Sequence, residues 1–121
     1  MKTRTINDGA VGIIEVKSSL INEEEIALLK DAVSDFIEQG IKRVIIDLSK
    51  VNLINSIGIG ALISAYTNFS RNGGEILLSG VNKSIKNIFI ITKLSTVFEI
   101  YDKTEEAINK FQLTKINKII N

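Results

Sequence analysis

The sequence has 121 residues and a mass of 13.4 kDa, enough for one sizeable core and too little for two. Hydrophobic residues make up 45% and charged residues 24%, the balance of a globular chain, and a net charge of +1 leaves no electrostatic footprint for nucleic acid. The absence of both Cys and His removes disulfides, thiolate zinc sites and the usual Ser-His and Cys-His pairs, so an enzyme built here would have to rest on carboxylates or Lys.

Residues 3–6 (TRTI) and 11–17 (VGIIEVK) are short β-type runs parted by Asn7-Asp8-Gly9, a turn signal, and together they read as a hairpin. After Ser18-Ser19-Leu20-Ile21, Asn22 is a helix cap, Glu25 holds the capping-box position, and the acidic first turn suits the positive end of a helix dipole. The helix predicted from about residue 23 carries Ile26, Leu29, Val33, Phe36 and Ile37 on one face and stops at Gly40. Its glutamates are read as a solvated turn in preference to a cation site.

Residues 42–48 (KRVIIDL) contain the continuous apolar run of a strand covered on both faces, the expected centre of the sheet. Helical spacing resumes from Ile57 through Ile59, Leu62, Ile63 and Tyr66 and ends near Arg71-Asn-Gly-Gly74, before a further strand, Glu75 to Val81. A helix of about four turns between two such strands makes them parallel neighbours with a right-handed crossover. Ile85, Ile88 and Phe89 predict a short third helix, Val97-Phe-Glu-Ile-Tyr101 a fifth strand, and Thr104 to Ile108 the start of a last helix. The order is β-β-α-β-α-β-α-β-α, an α/β fold in which a small mixed, mostly parallel sheet of about five strands is flanked by about four helices. One domain is expected over 1–121, with its core at about 3–110 and residues 111–121 either extending the last helix or fraying.

The loops leaving the carboxyl ends of parallel strands are where ligands and partners bind in open sheets, and Asn55-Ser56-Ile57-Gly58 occupies such a loop. Ser56 has two readings. It is a favoured N-cap, able to accept from the amide of Gly58 or Ile59; equally, a phosphoryl group on it would lie among free N–H groups at the positive end of the helix. Phosphorylation would add roughly −1.5 to −2 charges to a junction with few of its own. Gly58 and Gly60 permit close approach, of a partner or of helix to sheet. Gly58-Ile-Gly60 has Ile63 where a dinucleotide fingerprint needs its third glycine, and no phosphate-binding Gly-Lys-Ser/Thr loop occurs. Lys83, Lys86 and Lys93 are read as the solvated face of the third helix.

Residues 45–60, IIDLSKVNLINSIGIG, resemble the signature of STAS domains, the bacterial anti-sigma factor antagonists: a hydrophobic strand, Asp-Leu-Ser, a spacer, then Asp-Ser-Ser/Thr/Ala-Gly-Leu-Gly. Gly73 to Val81 is similar to the family's fourth strand and Ile88 to Ala107 to its closing segment, so the likeness spans residues 3 to about 110. The resemblance implies a non-enzymatic, cytoplasmic regulator of sigma-factor-dependent transcription, a monomer or weak dimer without cofactor, membrane insertion or direct nucleic-acid contact. Its partner would be an anti-sigma factor that is also a serine kinase, which would phosphorylate Ser56; a serine phosphatase would reset it. Asn55, Ser56, Ile57, Gly58, Ile59 and Gly60, with Ser19, Ile21 and Asn22, would form the partner surface. Two departures stand out: Asn55 replaces the usual Asp, and Ser18-Ser-Leu-Ile21 replaces the usual Gly-Glu-Leu/Ile-Asp. They favour, as the alternative, a non-phosphorylated STAS subunit serving as a structural partner of a membrane transporter ATPase or another signalling complex.

Overall fold

A computed structural model describes the backbone of residues 1–120 and the side chains of residues 1–113. The hairpin forms from β1 (Lys2–Ile6) and β2 (Val11–Glu15), antiparallel, with Ile6 opposite Val11. In the loop of residues 7–10, Asn7, Asp8 and Gly9 all take positive φ, the left-handed region that Asn, Asp and Gly tolerate best. β3 (Arg43–Asp47) adds parallel to β2, β4 (Glu75–Ser79) parallel to β3, and β5 (Ile100–Tyr101) parallel to β4. The sheet therefore runs β1-β2-β3-β4-β5, with β3 at its centre.

The four helices are α1 (Glu23–Glu38), α2 (Ser56–Arg71), α3 (Lys83–Ile91) and α4 (Thr104–Ile120). Leu29, Val33 and Phe36 of α1, Leu62 and Phe69 of α2, and Ile85 and Phe89 of α3 close one core over Ile14, Val44, Ile46, Ile76 and Leu78. On the other face Ala107 and Phe111 of α4 cover Val11, Ile13, Ile45 and Leu77. The unbroken apolar run of β3 has its cause here, since Val44 and Ile46 point into one core and Ile45 into the other. Asn121 and the side chains beyond Leu113 lie outside the described residues, where the question of a frayed or extended end of the chain largely falls.

The fifth strand is shorter than its sequence predicts. A 3-10 turn (Leu94–Thr96) precedes it, and Phe98 turns away to pack edge-on against Tyr66, with ring centroids 5.3 Å apart, and beside Phe89 at 6.0 Å. Burial of Phe98 against the helices withdraws residues 97 and 98 from the ladder; the Glu99 carbonyl still accepts from the Leu78 amide (3.0 Å), and Ile100 and Tyr101 pair with β4.

Candidate functional site

The loops after β2, β3 and β4 meet at one end of the sheet, and each leads into a helix that opens on an asparagine. Asn22, Asn55 and Asn82 all have extended backbones, and their side-chain oxygens accept from the amides of Glu25 (3.0 Å), Gly58 (3.0 Å) and Ile85 (2.8 Å). Each side chain thereby satisfies one N–H that the helix itself leaves unpaired. Two of the three also reach another loop. The amide nitrogen of Asn55 donates to the carbonyl of Ile21 (3.1 Å), and that of Asn82 donates to the carbonyl of Val51 (3.3 Å), so each cap ties its helix to the preceding crossover loop.

Ser56 is consequently not the cap that its residue type suggests. It is the first residue of α2, exposed, while Asn55 does the capping. By residue type Asn and Ser are equally good caps, and only the turn of the backbone selects between them. The first turn of α2 contains no acidic residue, in contrast to Glu23, Glu24 and Glu25 in α1.

Leu53 and Ile57 stand within three residues of Ser56 in the chain, and Ile21 is hydrogen-bonded through its carbonyl to the neighbouring Asn55; they are 62%, 53% and 41% exposed, high values for large apolar side chains. Leu53 carries no sequence signal that would single it out: in the spacer it looks like any apolar residue bound for the core. Gly60 is exposed with open space around it, and Ile59 is half-buried against the main core. Gly58 is buried, and a Cβ there would overlap the Leu20 carbonyl oxygen and approach Ile54 to 2.8 Å, so its lack of a side chain serves helix-to-loop packing. Ser19 and Asn22 have their polar groups engaged within the protein: the Ser19 hydroxyl accepts from the distant Leu53 amide (3.2 Å), and Asn22 caps α1.

Lys50, in the loop after β3, donates to Glu15 at 2.6 Å. That hydrogen bond holds the Glu15 carboxyl below its ordinary value and the Lys50 ammonium above its own. Among the described residues no cluster of three His, Cys, Asp or Glu is placed to hold a metal, and no helix is long and apolar enough to cross a membrane.

The fold has counterparts. A model of the STAS domain matches residues 2–107. A protein of Thermotoga neapolitana provisionally named an anti-sigma factor antagonist is 29% identical over 101 residues, 83% of this chain and 89% of its own. The crystal structure of a Thermotoga maritima protein with the same provisional naming superposes with a TM-score of 0.79 at 26% identity, covering 90% of this chain and 92% of the other. The Bacillus cell-fate determinant SpoIIAA in its phosphorylated form shares the fold at 15% identity, with a TM-score of 0.71 over 91% of this chain and 97% of its own.

Proposed function

The chain belongs to the STAS domain family, and we propose that within it the protein is an anti-sigma factor antagonist switched by phosphorylation of Ser56. In its unmodified form it binds an anti-sigma factor that is also a serine kinase, and so releases the sigma factor. The kinase phosphorylates Ser56, the complex dissociates, and a serine phosphatase restores the binding form. ATP belongs to the kinase, and the protein itself is substrate and ligand.

The observation that carries this reading is an exposed hydroxyl, free of capping duty, at the first residue of a helix, with exposed Leu53 and Ile57 close to it in the chain and exposed Ile21 bonded to its neighbour Asn55. Apolar side chains around a hydroxyl suit a partner surface that desolvates them in the complex. A phosphoryl group at the start of α2 meets the positive end of the helix dipole and the unpaired N–H groups of the first turn, so the domain stays folded when modified. A charge of roughly −1.5 to −2 at a junction bearing exposed apolar side chains opposes the same interface by its desolvation cost, which turns a covalent mark into release of a partner. The names of the Thermotoga relatives and the existence of a phosphorylated SpoIIAA agree with this assignment.

Peptide mass spectrometry of the protein isolated from its native cells provides the test. Phosphate on Ser56 under some growth condition is the expected result; a bare Ser56 under growth and stress alike would overturn the switch and leave a constitutive STAS binding subunit.

A further inference from the structure

The Asn55 side chain faces two groups with fixed and opposite requirements. The Gly58 N–H can only donate, so Asn55 must offer it oxygen; the Ile21 carbonyl can only accept, so Asn55 must offer it the NH₂. A carboxylate meets the first demand and fails the second, placing an oxygen against an oxygen. The bond to Ile21 does not act alone. The Leu20 amide donates to the Leu53 carbonyl (3.2 Å), the Leu53 amide donates to the Ser19 hydroxyl (3.2 Å), and Leu20 and Ile54 form an isolated parallel bridge. Residues 19–21 and 53–55 are thus sewn into one seam, with Asn55 as its last stitch and Ser56 as the next residue.

Resting on the function proposed above, the geometry points to Asn55 as the positioning residue of the Ser56 acceptor site, one at which the amide is required and the family's usual carboxylate is not an equivalent. By closing the seam it fixes the Ile21 segment, on the loop after β2, against the 53–55 segment that leads into Ser56, so that two stretches distant in sequence are held in one arrangement at the acceptor.

The test compares Asn55→Asp and Asn55→Ser with the wild type. Both substitutes are good N-caps, and both lose the bond to Ile21: the first for lack of a donor, the second for lack of reach. Residue-resolved amide exchange on the isolated proteins should show Gly58 still protected in both variants, while protection of the Leu20 amide falls about tenfold, the effect of one hydrogen bond. Expressed in native cells at wild-type level, both variants should carry several-fold less phosphate on Ser56. Equal loss in the uncharged Ser variant assigns the effect to the seam and not to the added charge. Undiminished Leu20 protection, or phosphate occupancy equal to that of a phosphorylated wild type, would overturn the positioning role alone. A wild-type Ser56 that never carries phosphate would overturn the switch itself and this assignment with it.

Discussion

Ser56 and Asn55 are neighbours with exchanged duties: the residue that sequence marks as a cap is free, and the one that departs from the family pattern does the capping. Ser56→Ala therefore removes no side-chain hydrogen bond and should change stability by less than about 0.5 kcal/mol, read as an unfolding midpoint within error of the wild type. Asn55→Ala should cost about 1 kcal/mol for the lost cap. That order of effects reverses what the sequence implies, and a chemical denaturation series on the two variants decides it.

Within α2 the two glycines divide cleanly. Gly58→Ala would drive a methyl into the Leu20 carbonyl and Ile54, and should destabilise by roughly 1 to 3 kcal/mol as an overpacked contact. Gly60→Ala meets nothing within 4 Å and replaces a poor helix former by the best, so it should stabilise the free protein by about 1 kcal/mol. Thermal unfolding of both variants checks the opposite signs. Between β2 and the loop after β3, the Glu15–Lys50 pair contributes fully between the ordinary Glu and Lys values, 4.5 and 10.5. The lowered Glu15 pKa means that this contribution fades as pH falls through the folded-state value; the raised Lys50 pKa means that it fades as pH rises through its own. Lys50→Ala should accordingly flatten the acid limb of stability against pH, with salt diminishing the difference because the pair is exposed at the lysine end.

Across the molecule, the central strand serves two cores, and its substitutions should report on them separately. Ile46→Ala opens a cavity under α1 and α2 and Ile45→Ala one under α4, each at a cost of about 2 to 5 kcal/mol. In the second variant, amide exchange in the first turns of α4 should accelerate ahead of the rest, because α4 rests on a small core shared with Val11, Ile13 and Leu77. Both expectations were legible in the run Val44-Ile45-Ile46, as were the hairpin at Asn7-Asp8-Gly9 and the start of α1 at Asn22, since each depends on residues close together in the chain. The element order and the junction holding Ser56 were equally determined by local pattern: periodicities of two and of three to four residues, turn chemistry and capping are short-range physics. Only the tertiary structure decided which residue caps α2, that Gly58 is buried while Gly60 is free, that Phe98 abandons β5 for Tyr66 and Phe89, and that Leu53 stays in solvent. Each of these turns on a partner brought near by the fold, the Ile21 and Leu20 carbonyls for α2 and the packed helices for Phe98, and the hydrogen bonds and contacts that settle them do not exist until distant segments meet.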